Sequence, residues 1–230
     1  MSDGKALDIV VPEVGTRAPR VNGDIADFLA NHPDLELGGS QGYIIERRKH
    51  MEVFALHRLP KFKVNPIRDV EFTAIRGPHG TIPIRVLYPN NGEPRRGEGK
   101  MGGIIYFHGG GYCTGSVDEF ENGLRLLAEE SACIVGPSPT FMYVAPGKQP
   151  CAGLASLPPA AVVTNGYDPL RDVGLAYAGK LRAVGGLARW RHYADLTHGW
   201  VQMTAWSAAA RDAARDVGLI VRDMLYGQSD

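Results

Sequence analysis

Residues 103–116 read GIIYFHGGGYCTGS. An apolar, strand-like run stops at His108 and the three glycines Gly109, Gly110 and Gly111. Adjacent glycines clear the backbone of side chains, so its N–H groups can approach a ligand atom closely. Aimed at a carbonyl oxygen as it becomes negative, one such donor is worth roughly 3 kcal/mol, or on the order of a hundredfold in rate. An oxyanion site of this kind implies a nucleophile opposite it. The three cysteines, Cys113, Cys133 and Cys151, are too few and odd in number for a disulfide framework, and without CxxC or Cys/His spacing no metal site is expected.

The elements that must hold such a loop follow from the hydrophobic pattern. Residues 1–65 form a polar lead-in with helices expected over Gly23–Ala30 and Ser40–His57. The second has Ile44, Ile45, Met51, Phe54 and Ala55 roughly on one face. The run Glu46-Arg47-Arg48-Lys49-His50 covers its other side, the pattern of a solvated helix face. A hairpin follows: Val70, Phe72 and Ala74 alternate with polar residues, RGPHG turns, and Ile82, Ile84, Val86 and Tyr88 alternate again. Pro83 cannot donate to a ladder, which places this hairpin at a sheet edge. Residues 89–103 are a loop by composition.

Ile104–Phe107 reads as a strand buried on both faces. Asp118–Glu130 reads as a helix with Phe120, Leu124, Leu127 and Ala128 inward, and Ala132–Val135 as a short strand. Gly136–Pro159 has no period. Order returns with a strand over Ala160–Thr164, a helix over Leu170–Ala183, a strand over Ala188–Ala194 and a final helix over Val201–Leu225. Strands alternating with helices imply an α/β fold with a largely parallel sheet.

The chain has 230 residues, 44% hydrophobic and 22% charged, which suits a single globular domain with a substantial core. Its 25 basic and 25 acidic residues cancel, so no global field draws it to nucleic acid or an anionic membrane. No run reaches the about 18 apolar residues of a membrane span. The start, MSDGKALDIVVPEVG, lacks the basic-then-apolar pattern of a secretory signal. A soluble cytoplasmic protein is expected, of unassigned oligomeric state.

Four stretches resemble the hormone-sensitive-lipase-like branch of the α/β-hydrolase esterases. YFHGGGY (106–112) resembles the family's oxyanion loop, LPPAAVVTNGYDPLRD (157–172) the strand and turn bearing its catalytic acid, and HYADLTHGW (192–200) the loop bearing its histidine. IPIRVLYP (82–89) resembles its second strand. The resemblance covers residues 65–135 and 155–225. It implies Asp168 as the acid, His198 as the proton shuttle, Gly109 and Gly110 as oxyanion donors, and His108 and Gly111 as structural residues of that loop. It also implies a small-molecule ester substrate with no cofactor and no metal. Asp168 and His198 each follow a strand, so neighbouring strands would bring them together and let the acid orient the imidazole. On this reading residues 1–65 are an N-terminal cap segment and 66–230 a truncated α/β-hydrolase domain.

The family's G-x-S-x-G elbow is not found between the oxyanion loop and the acid. Ser138 and Ser156 lack the flanking glycines, and the one match, Gly38-Gly39-Ser40-Gln41-Gly42, precedes every strand and reads as a helix start with Ser40 as N-cap. Only 22 residues separate Val135 from Pro158, whereas each strand–helix unit takes on the order of 30. PTFMYVAPG (139–147) resembles the family's segment just before the acid strand, which puts the join near Gly136. The chain therefore reads as an esterase missing one internal block, the elbow strand and the next strand.

Other residues compete for roles. Ser116 reads as the cap of the helix beginning near Asp118 rather than as a nucleophile, and Cys113 would force one loop to be both elbow and oxyanion hole. Asp172 and Asp195 rival Asp168 as acid, while Trp200 and Trp206 suit either a pocket or the core. Two other functions stand beside ester hydrolysis: a non-catalytic remnant that binds an ester or a partner, and a phosphate-cradling nucleotide binder. HGGGY matches neither G-x-G-x-x-G nor a Walker loop, which disfavours the last.

Overall fold

The computed structural model describes residues 16–38, 40–77, 80–111, 114–137, 151–155 and 157–227. The chain divides into two compact units, Met1–Asn22 with Met142–His198, and Gly23–Phe141 with Gly199–Asp230.

The larger unit holds a four-stranded sheet, β1 (Asp69–Gly77), β2 (Gly80–Tyr88), β3 (Gly103–Tyr106) and β4 (Ile134–Pro137), in the order β1-β2-β4-β3. β1 and β2 form the expected antiparallel hairpin, with Asp69 opposite Tyr88 and Ala74 opposite Pro83. Among the described residues β2 pairs with β4 at Leu87–Val135, leaving Pro83 clear of that ladder, as its missing N–H requires. β3 and β4 are parallel. Helices α1 (Gly23–Asn31) and α2 (Tyr43–Phe54) precede the sheet, and the short α3 (Glu93–Gly97) interrupts the stretch expected to be loop. α4 (Val117–Ser131) links β3 to β4, and its inward side chains build the core: Phe120, Leu124 and Ala128 pack with Leu87 and Val135.

In the smaller unit, α5 (Cys151–Leu154) precedes β5 (Ala160–Tyr167), and α6 (Arg171–Ala183) connects it to β6 (Leu187–Thr197). β5 and β6 are parallel, as the strand–helix–strand pattern implies. The final helix, α7 (Ala208–Tyr226), belongs to the larger unit. It presents Ala210, Ala213, Ala214 and Gly218 inward. A Cβ on Gly218 would lie 2.6 Å from Glu130 Cβ, so this small-residue stripe is what lets α7 close on α4.

Five expectations are corrected. β3 is not buried on both faces: Ile105 is 72% and Phe107 54% exposed. Its only strand neighbour among the described residues is β4, so half the cover that a central strand needs is missing. On α2, Ile44 and Ile45 point outward and Glu46 is buried instead, because its carboxylate accepts the Gly38 N–H at 3.1 Å. Ser40 does not cap α2. The chain turns at Gly42, whose φ of +78° excludes most side chains and whose carbonyl takes the first helical N–H groups. Leu87, outside the alternating set Ile82, Ile84, Val86 and Tyr88, is the fully buried residue of its strand, where β4 joins β2. The last helix starts later than expected, because Ser207 is extended and its hydroxyl accepts the Ala210 N–H. A 3-10 turn, Trp200–Ala205, fills the gap. The stretch 138–150, Gly39, Pro78, His79, Tyr112, Cys113 and Ser156 lie outside the described residues.

Candidate active site

Two groups of residues singled out from the sequence acquire a geometry. In the smaller unit β5 ends one residue before Asp168 and β6 one residue before His198. The His198 N–H bonds to the Tyr167 carbonyl at 3.2 Å, which ties the two strand ends together. The imidazole Nδ1–H then donates to Asp168 Oδ1 at 3.1 Å. The carboxylate is 12% exposed and the imidazole 59%. With Nδ1 committed to Asp168, Nε2 keeps the lone pair that can take a proton.

Asp168 is itself held. Oδ1 also accepts the Leu170 N–H at 2.7 Å, and Oδ2 accepts Asn165 Nδ2–H at 3.4 Å. Asn165 was not singled out by sequence reasoning. The one signal was an amide side chain following the apolar start of β5. Neither rival acid reaches His198. Asp172 pairs with Arg171, which holds its carboxyl below the usual range, and Asp195 accepts from the Asn22 amide at 3.3 Å.

The strands are locked just before the acid. The β5–β6 register shifts between Asn165 and Tyr167, and a Cβ on Gly166 would lie 1.9 Å from the Ala194 carbonyl oxygen. Only glycine fits there. The edge of this pair is bound by the lead-in: Ala18 N–H donates to the Ala194 carbonyl, His192 Nε2–H to that of Thr16, and the Tyr167 hydroxyl to that of Ala18.

In the larger unit the glycine loop makes a tight turn. Gly110 has φ +128°, and a Cβ there would meet the Thr114 carbonyl oxygen at 2.0 Å. Its carbonyl accepts both the N–H and the hydroxyl of Thr114, at 2.9 and 3.2 Å. His108 Nδ1–H donates to the Gly109 carbonyl at 2.8 Å, and its ring stacks on Phe120 at 5.8 Å. The loop carbonyls are thus used internally. Among the described residues, nothing accepts the N–H of Gly109 or Gly110. Gly111 has φ +57° and is exposed.

Ser116 occupies the N-cap position of α4, but its hydroxyl bonds to Glu119 Oε1 at 3.1 Å and Met51 Sδ at 2.8 Å rather than to a helix N–H. Burial pushes the Glu119 carboxyl above its usual range, against the lowering effects of Ser116, His50, His108 and Arg47. Gln202 also donates to it, at 3.1 Å. Trp200 is buried, whereas Trp206 packs on Phe28 and Phe54 and lines a depression of about 240 Å³ with Asp24, Asp27, Asn31 and His32. Among the described residues, no group of three or more His, Cys, Asp or Glu side chains is placed to hold a metal. Among the described residues, no helix is long and apolar enough to cross a membrane.

Residues 136–202 match a family described as alpha/beta hydrolase fold. Over 84 residues the chain is 37% identical to esterase LipI of Mycobacterium tuberculosis, which is 36% of this chain and 26% of LipI. Over 50 residues it is 44% identical to the carboxylic ester hydrolase LipN of the same organism, 22% of this chain and 13% of LipN. Each match therefore spans no more than 26% of the curated relative. Among solved structures, the hyperthermophilic esterase from the archaeon Pyrobaculum calidifontis has a TM-score of 0.73 at 19% identity, covering 89% of this chain and 99% of that chain, a likeness of fold. The matched segment contains both Asp168 and His198, and segment and solved structures together give the chain an α/β-hydrolase fold, similar over part of its length to two esterases.

Proposed function

We propose that this chain is a carboxylic ester hydrolase by descent, built to take a small-molecule ester. His198 is the proton shuttle, Asp168 the acid that orients it, and the N–H groups of Gly109 and Gly110 the oxyanion donors. His108 and Gly111 shape the loop that carries those donors. The observation that carries the reading is the 3.1 Å bond from His198 Nδ1 to Asp168 Oδ1 at two adjacent strand ends, inside the segment that matches the family. That bond leaves Nε2 free to remove a hydroxyl proton and return it to a leaving alcohol, while the carboxylate stabilises the imidazolium formed in between.

A second reading concerns turnover. No serine between Val135 and Leu157 stands in G-x-S-x-G, so the pair has no nucleophile in the family's place to deprotonate. On this reading the chain takes an ester without turning it over. The test is hydrolysis of p-nitrophenyl butyrate by the purified chain beside His198→Ala. Equal rates, both at the buffer background, are expected. A rate that depends on His198 would overturn the non-catalytic half of the proposal and support a serine elsewhere as the completing group.

A further inference from the structure

Resting on the proposed roles of Asp168 and His198 as an acid–imidazole pair, we infer that Asn165 is a positioning residue for that pair, holding the Asp168 carboxylate so that Oδ1 is presented to His198.

Asn165 lies in β5, three residues before the acid, and is 5% exposed. Its Nδ2–H donates to Asp168 Oδ2 at 3.4 Å, while Oδ1 of the same carboxylate takes the Leu170 N–H at 2.7 Å and His198 at 3.1 Å. Donors on both oxygens set the plane of the carboxylate as well as its position. Without the amide, Asp168 keeps Leu170 and His198 on one oxygen only and can swing about that side.

The other end of the amide says why the residue is there. Asn165 Oδ1 is buried and has no donor among the described residues. An idle buried carbonyl disfavours folding, and an apolar side chain at this point of the strand would avoid it. Turning the amide over does not help, since its oxygen would then face the carboxylate and two acceptors would meet. The orientation is fixed by Asp168, and the nitrogen's bond to Asp168 is the interaction that the amide supplies. The neighbouring backbone is equally committed. The register shift between Asn165 and Tyr167 and the absence of room for a Cβ at Gly166 hold the spacing from amide to acid constant.

The test uses the full chain with ¹⁵N-labelled histidine and follows the His198 Nδ1–H resonance, identified by its loss in His198→Ala. In the wild type the Nδ1–H tautomer with a protected proton is expected. In Asn165→Leu, which keeps the volume and removes the donor, solvent exchange of that proton should rise by on the order of tenfold. A signal present in the wild type and unchanged in the variant would overturn the role of Asn165 and leave the pair standing. No Nδ1–H signal in the wild type would overturn the pair itself, and this inference with it.

A second measurement reads the same link through stability. In the Asp168→Ala background the amide has lost its partner, so adding Asn165→Leu should raise the melting temperature. A residue that merely fills β5 would lower it in either background, and that result would overturn the inference.

Discussion

Glu121 offers the sharpest perturbation of the fold. It lies on α4, almost fully buried, and its two oxygens are divided between two guanidinium groups. Oε2 meets Arg85 of β2, and Oε1 takes Arg125 Nε and Nη2 at 3.0 and 2.7 Å. The side chains of Arg85 and Arg125 are only 17% and 13% exposed. Removing one member of a buried pair strands the other charge at a cost of about 3–5 kcal/mol. Arg85 retains Asp118 at 2.5 Å and Arg125 retains the Asn65 carbonyl at 3.0 Å, which argues for the lower end. Glu121→Ala should therefore cost about 3 kcal/mol, a large share of the about 5–15 kcal/mol that holds a typical domain together. For a chain of this size that is a melting temperature lower by about 6–12 °C. Urea denaturation followed by circular dichroism gives the free energy directly, and Glu121→Gln, which keeps the shape and one acceptor, should fall between the two. A loss below about 1 kcal/mol for Glu121→Ala would place this network with exposed ion pairs and refute the reasoning from burial.

Three other outcomes follow from named contacts. Gly166→Ala puts a Cβ 1.9 Å from the Ala194 carbonyl and should destabilise the β5–β6 pair by about 3 kcal/mol, the upper end for overpacking, whereas Gly153→Ala, which meets nothing within 4 Å, should be neutral or slightly stabilising in the same melt. Burial raises the Glu119 carboxyl in the folded chain, so the folded state binds the proton more tightly than the unfolded one and stability falls as pH rises from the ordinary glutamate range through the raised value. Glu119→Gln should therefore gain on the wild type as pH rises through that window in parallel urea titrations, and a constant difference would contradict the burial argument. Ile105→Lys places a charge on the open, apolar edge of β3 and should suppress concentration-dependent association seen by light scattering, with no loss of melting temperature.

What could be read from the sequence was whatever depends on local chemistry. Gly110 announced a tight turn, because no other residue type reaches φ +128° beside a carbonyl 2.0 Å from where its Cβ would lie. Asp168 and His198 could be placed together because each directly follows a strand, and parallel strands joined by one helix end side by side. The burial of β3 could not be read, because burial on both faces depends on which strands stand beside it rather than on its own composition. The inward turn of Glu46 brings it to a backbone N–H at Gly38, and Glu121 sits on arginines 36 residues before and 4 residues after it, so neither leaves a periodic trace. Asn165 is one amide following the apolar start of β5, and its partner becomes visible only when Asp168 Oδ2 has coordinates.

The most direct test of the proposal that Asp168 and His198 form a pair with no serine nucleophile opposite it is exposure to a fluorophosphonate probe, read by intact mass and by peptide mapping. On that proposal no serine carries an adduct, and the spectra of the wild type and His198→Ala are identical. A single adduct on one serine, lost in His198→Ala, would contradict it and identify the nucleophile in the same experiment.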